Sequence, residues 1–238
     1  MGTTANLLII RHEQCSSLGL LAKAVKEQEI PFRYLDTAKG EILNEPLENY
    51  SHILILGGAI SAYEDDDYPF LNYEFELLEM AIAKQILIVG ICLGSQILAR
   101  VLGANVYRGA AGREAGWHEV QLLNSAQTDP LFHDFPTEFR VFQSHQDTFD
   151  IPPKCVRLAE SARYPNQAFR YQDHVWAVQF HLEFDQHVLS DCAAVIEQEL
   201  RDSKIQDTIG QLLAEAKLHS PAIAPLSHLF MQQFLQRR

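Results

Sequence analysis

Short, almost unbroken apolar runs, each leading into a stretch with helical spacing, constrain this chain more than any other feature. Leu7–Ile10, His52–Leu56 and Ile86–Val89 are such runs. They have the length of strands. Apolar residues at nearly every position imply that both faces are covered, as in a parallel sheet buried under helices. Between them, Leu18–Gln28 reads as a helix and Phe32–Leu35 as another strand. Leu71–Lys84 carries Leu71, Phe75, Leu78 and Ile82 at helical spacing, and Ser95–Leu102 reads as the next helix. This alternation predicts an α/β fold with a mostly parallel central sheet flanked by helices.

The second half changes character. Trp117–Leu123, Phe139–Gln143, Cys155–Ala159, Ala168–Tyr171 and Val175–Phe180 read as short strands separated by turn residues, and a small antiparallel subsheet is expected beside the parallel one. Asp185–Leu200 returns to a helix. Beyond it, Ile205, Ile209, Leu212, Leu213 and Ala216 mark one amphipathic helix. Ser220–Pro225 reads as a breaking linker, and Leu226, Leu229, Phe230 and Phe234 mark a second helix. The expected organisation is a main domain over 1–200 and a C-terminal helical extension over 201–238 packed on it, with partner docking as the sharper alternative.

Chemistry concentrates in Gly90-Ile91-Cys92-Leu93-Gly94-Ser95-Gln96, between an apolar strand and a helix. That is the context of a nucleophile elbow, a tight turn that exposes its central side chain. Glycine at 90 and 94 removes side chains that would collide across the turn. The unpaired N–H groups and positive dipole end of the helix favour a thiolate. A lone cysteine is more often a buried packing residue; the surrounding pattern reverses that reading.

A thiol nucleophile needs a base, and the base an orienting group. The strand Val175–Phe180 ends in His181-Leu182-Glu183. Positions i and i+2 of an extended segment point the same way, so Glu183 can hold the His181 imidazole. Acyl transfer also needs donors for an oxyanion. The N–H of Leu93 follows the nucleophile, and Gly57-Gly58 ends another apolar strand, where backbone can approach closely.

Taken together, G-x-C-x-G-x-Q at 90–96, the upstream Gly57-Gly58 and the late Gln179-Phe180-His181-x-Glu183 resemble class I, triad-type glutamine amidotransferases. Gln143–Asp147 resembles the family's segment lining the glutamine pocket, and Gly116-Trp117-His118 is similar as well. The resemblance spans roughly 5–195, and its nearest flavour is the amidotransferase half of GMP synthase. It implies a flavodoxin-like fold, with Cys92 as nucleophile, His181 as base and acid, and Glu183 as orienter. It implies oxyanion contacts from the Gly58 and Leu93 backbones, and a substrate held by Gln96, Ser144 and His145. Ser95, the Ala59-Ile60 pair after Gly58, and Leu182 in place of a usual Pro depart from the family pattern. They touch the pocket, not the catalytic groups.

The implied activity is hydrolysis of the glutamine side-chain amide, with ammonia released for an acceptor or a synthetase subunit. A hydrolase of γ-glutamyl peptides or conjugates with the same triad is the alternative, and a non-catalytic regulatory module a second. A different cysteine-elbow protein is disfavoured by the H-x-E, and an α/β-hydrolase by the order Cys, His, Glu. Phosphate-binding glycine loops are missing, no P-C-x-x-C follows the H-x-E, and no H-E-x-x-H occurs. Neither a cofactor nor a metal is expected. A formal net charge of -12 excludes a general electrostatic footprint for nucleic acid or anionic membrane. The start lacks a basic leader, and Cys15, Cys92, Cys155 and Cys192 lie far apart, so reduced thiols in the cytoplasm are expected. Arg11-His12-Glu13, after the first strand and near the active edge of the sheet, reads first as ordinary loop polarity, with a pocket role as the alternative, and Glu64–Asp67 as a solvated helix entry.

Overall fold

The computed structural model describes residues 6–206 and 208–238; Met1–Ala5, which carry the expectation about the leader, and Asp207 lie outside the described residues. The expected strands and the helices up to Val101 form with ends moved by a few residues, whereas the helix expected over Asp185–Leu200 is divided at Cys192 into two. In chain order the strands are β1 (Leu7–Ile10), β2 (Phe32–Leu35), β3 (His52–Ile55), β4 (Leu87–Ile91), β5 (Val106–Arg108), β6 (Glu114–Leu122), β7 (Glu138–His145), β8 (Asp147–Phe149), β9 (Cys155–Ser161), β10 (Ala168–Tyr171) and β11 (Val175–Val178). The helices are α1 (Ala22–Glu27), α2 (Phe70–Ala83), α3 (Leu93–Val101), α4 (Gln186–Asp191), α5 (Ala193–Asp202) and α6 (Ile209–Gln236).

Nine strands make one mixed sheet in the order β2-β1-β3-β4-β11-β10-β9-β6-β7. The five from β2 to β11 run parallel. From β11 outward the remaining pairings are antiparallel, and β5 with β8 forms a separate two-stranded antiparallel piece. β1, β3 and β11 are buried at every position. Their alternate side chains divide between two cores: Leu7, Ile9 and Leu54 face one, and Leu8, Ile10 and Ile53 the other. Burial on both faces is why the sequence shows continuous apolar runs there rather than alternation.

The chain's end departs from expectation. Ser220–Pro225 is no linker: α6 is one helix of 28 residues with Pro221 and Pro225 inside it. Each proline removes an intrahelical hydrogen bond and opposes helix by about 3 kcal/mol. The helix survives because its apolar face is buried: Leu212, Ala216, Ile223, Phe230, Met231 and Phe234 all lie in the main core. Thr208 and Gln211 form a capping box at its start. At its other end the Phe234 carbonyl accepts a 3.0 Å hydrogen bond from His52 Nε2 at the root of β3. Burial lowers His52 to about 4, so this donor stays a neutral imidazole.

The thiols also depart from expectation. Cys15 and Cys192 form a disulfide with Cα atoms 5.2 Å apart, joining the loop after β1 to the junction of α4 and α5. Cys92 and Cys155 are free. Burial pushes the Cys155 thiol up to about 12, which leaves it inert.

Candidate active site

Three adjacent parallel strands deliver the groups singled out in the sequence. Gly57-Gly58 follows β3, Cys92 follows β4 and His181 lies beyond β11, all at the carboxyl end of the sheet, where α/β proteins place ligands. Cys92 stands between β4 and α3 with φ 52° and ψ −109°, a conformation costly for a residue with a side chain. The turn is tied down by a 2.9 Å bond from the Cys92 N–H to the Val178 carbonyl of β11. A Cβ on Gly90 would overlap the Gly94 carbonyl, and one on Gly94 the Ile55 carbonyl. Both glycines are therefore required by close backbone approach, as the elbow reading demands.

His181 is anchored by its own N–H, which donates to the Phe142 carbonyl at 2.9 Å. Its Nδ1 lies 2.7 Å from Glu183 Oε1, and its Nε2 is buried without a partner among the described residues. Cys92, His181 and Glu183 are 6%, 5% and 3% exposed, so their charges are weakly screened by water. Burial alone would lower the His181 pKa; the charges of Glu183 and Cys92 override it and raise it to about 10. A Cβ placed on Gly57 would meet His181 Cε1 at 3.2 Å and Cys92 Sγ at 4.0 Å, so both side chains converge on the same glycine.

His12, read from the sequence as loop polarity, is buried instead. Its Nε2 sits 3.1 Å from the carboxylate of Glu74, itself wholly buried on α2, and its Nδ1 is 3.3 Å from the Gly57 carbonyl. Both neighbours are acceptors, so both ring nitrogens donate. Burial opposes that charge, but Glu74 carries the His12 pKa above its ordinary value. Thr37 donates a further hydrogen bond to Glu74. Because the peptide is trans, a Gly57 carbonyl turned toward His12 sends the Gly58 N–H to the opposite side. The Leu93 N–H belongs to the first turn of α3 and has no intrahelical partner. Glu74 was legible only as an acidic residue on the apolar stripe of Leu71, Phe75 and Leu78.

Cys92 borders a polar cavity of about 380 Å³, whose lining includes Gln96, Arg113, Ser144, His145 and Glu199. It also borders a smaller one, about 50 Å³, walled in part by Cys15 and Cys192. Gln96 donates to Gln179 Oε1 at 3.1 Å. His145 is held between the Asp147 carbonyl, 2.9 Å from Nδ1, and Glu114, 3.0 Å from Nε2. The Ser144 carbonyl lies 3.9 Å from Cys92 Sγ, and its hydroxyl donates to Glu199 at 2.7 Å. Arg113 and Glu199 carried no sequence signal. They are ordinary charged residues in a strand-entry loop and on a helix, and only the fold brings them to the cavity. Among the described residues, no group of three or more His, Cys, Asp and Glu side chains could hold a metal ion.

The cysteine turn and the buried His–Glu pair thus sit together at the carboxyl end of the parallel strands of an α/β protein. Residues 17–192 match the family described as glutamine amidotransferase class-I. The chain belongs to the class-I glutamine amidotransferase family. A crystal structure of a glutamine amidotransferase from Thermotoga maritima superposes with a TM-score of 0.90 at 39% identity, covering 98% of this chain and 99% of that one. Gamma-glutamyl peptidase 4 of Arabidopsis thaliana is 25% identical across 89% of this chain and 83% of its own length. A GMP synthase from Thermosipho africanus is 31% identical across 83% of this chain, which spans only 37% of that enzyme. The domain is thus related to the amidotransferase part of GMP synthases.

Proposed function

We propose that this protein hydrolyses the side-chain amide of glutamine through a Cys92–His181–Glu183 triad and releases ammonia to an acceptor or partner synthetase. The observation that carries this reading is the elbow cysteine converging on Gly57 together with a buried imidazole that Glu183 holds through Nδ1. Cys92 Sγ attacks the γ-carbonyl carbon, and the N–H groups of Leu93 and Gly58 receive the oxyanion. The imidazolium of His181 gives its proton to the departing amine, and ammonia leaves. The now neutral His181 takes a proton from water, which opens the γ-glutamyl thioester and frees glutamate and the thiolate. Gln96, Ser144 and His145 shape the substrate end.

A second reading is hydrolysis of γ-glutamyl peptides or conjugates by the same steps. The Arabidopsis gamma-glutamyl peptidase supports it, since the match runs through most of both chains. The polar cavity, about 380 Å³, supports it too, being in the range of sites for ligands larger than one amino acid. The same proposal includes the division into a 1–200 amidotransferase domain and a 201–238 extension. The Cys15–Cys192 bridge favours a setting less reducing than the cytoplasm expected from the sequence.

The test is mass spectrometry after exposure to a glutamine-mimicking diazo-ketone. One adduct on Cys92, suppressed by excess glutamine, is the expected result. An adduct that γ-glutamyl peptides suppress but glutamine does not selects the second reading. An adduct elsewhere, or none, overturns both.

A further inference from the structure

A γ-glutamyl substrate carries two opposite charges on one carbon, its α-ammonium and its α-carboxylate, at the end remote from the amide under attack. The cavity beside Cys92 contains a pair of opposite charges held side by side. Arg113 Nη2 lies 2.5 Å from Glu199 Oε2, with the side chains only 13% and 19% exposed. Ser144 links this pair to the nucleophile: its hydroxyl donates to Glu199 at 2.7 Å and its carbonyl is 3.9 Å from Cys92 Sγ. Arg113 Nε is buried with no hydrogen-bond partner among the described residues, so the guanidinium has a donor to spare. Glu199 lies on α5, beyond the residues that match the family.

Resting on the triad reading above, we propose that Arg113 and Glu199 form a clamp that opens to take the α-carboxylate and the α-ammonium of the γ-glutamyl substrate. Binding exchanges one ion pair for two. Arg113 turns its fork to the carboxylate, for which a planar guanidinium is suited, and Glu199 receives the ammonium. No buried charge is left alone at any stage, which matters because an uncompensated charge in so shielded a site is strongly unfavourable. A compound lacking one of the two charges strands one half of the clamp. The clamp therefore selects γ-glutamyl compounds with a free α-amino acid end and excludes glutamine residues inside a peptide chain, whose α-groups are both in amide bonds.

The experiment compares wild type with Glu199→Gln and Arg113→Gln on L-glutamine, Nα-acetylglutamine and the α-amide of glutamine, reading kcat and KM for each. Glu199→Gln keeps the shape and the hydrogen bond from Ser144. It is expected to raise KM for glutamine about ten- to hundredfold, the loss of one hydrogen bond to a charged group, with kcat within a few-fold. It should leave Nα-acetylglutamine almost untouched, and Arg113→Gln should do the same for the α-amide. If the pair only latches α5 in place, each variant lowers all three substrates by one common factor, and that result overturns the clamp. If wild type turns over none of them, the triad reading has failed. Calorimetric titration of Cys92→Ala, with and without Glu199→Gln, using glutamine and its Nα-acetyl form then still decides the clamp. Equal binding of the two ligands by Cys92→Ala refutes it.

Discussion

Replacing Glu183 by Gln removes one charge from a buried pair and leaves its shape intact. The His181 imidazolium is held to about 10 by Glu183 and Cys92 acting against burial. Without Glu183 only Cys92 still opposes burial, and the folded value falls toward the ordinary 6.5. At that ordinary value the imidazolium fraction at pH 8 is roughly 3%, a loss of about thirtyfold in the acid proposed to protonate the leaving ammonia. Gln can also hold the wrong tautomer, which in an unrelated triad costs up to about 10⁴ in kcat. The two effects separate by pH, since protonation varies with pH and the tautomer does not. The assay is ammonia release from glutamine between pH 5.5 and 9, expressed as the ratio of kcat/KM for variant and wild type. Taking the ratio cancels the titration of the substrate's own amino group. The ratio should fall about tenfold per pH unit above 6.5 and level off below it. Stability should follow the same window. A His whose folded pKa is raised contributes fully below its unfolded 6.5 and loses that contribution as pH rises through about 10. The wild type's advantage in Tm over Glu183→Gln should therefore shrink across that interval. A kcat/KM ratio that stays flat with pH would refute the assignment of Glu183 as the group that keeps His181 charged.

Cys92→Ala should abolish the covalent adduct while the circular dichroism spectrum stays native; loss of the fold would make Cys92 a structural residue. His181→Ala should cost turnover nearly as much, because triad members act as a unit, and normal turnover would remove it as the base. Gly58→Ala places a methyl 2.8 Å from Leu93 Cδ2 and 2.9 Å from His12 Cβ. The expected outcome is a fall in kcat of about 10²–10³ with about 1–3 kcal/mol of overpacking, read by kinetics and urea melts, and an unchanged kcat would count against the Gly58 oxyanion donor. Phe230→Ala, in the buried face of α6, should cost about 3–5 kcal/mol in urea unfolding, and deletion of 203–238 should aggregate the protein. A soluble, active truncation would instead mark α6 as a docking element.

The central parallel strands and the elbow were legible because local rules and burial agree there: β1, β3 and β11 are buried at every position, and the glycines at 90 and 94 have a single steric reason. Pairing of His181 with Glu183 was legible because both lie on one extended segment. What sequence reasoning missed depends on distant contacts. Pro221 and Pro225 read as breakers until the burial of Ile223 between them is known. His12 read as loop polarity because its partner, Glu74, comes from another helix. Arg113 and Glu199 meet only through the fold. Pairing of Cys15 with Cys192 spans 177 positions, and spacing cannot reveal it.

That bridge turns most of the molecule into a covalent ring. Family-matched residues 17–192 all lie within it, as do Cys92, His181 and Glu183, while α5 and α6 form a tail outside. A protease cut in any loop of the ring leaves one molecule with Cys92, His181 and Glu183 still attached, and only reduction lets the pieces part. A cut beyond Cys192 releases the tail at once. The same nick thus reads as an intact chain or as two fragments on a denaturing gel according to whether reductant is added, and that contrast maps each cut to the ring or the tail.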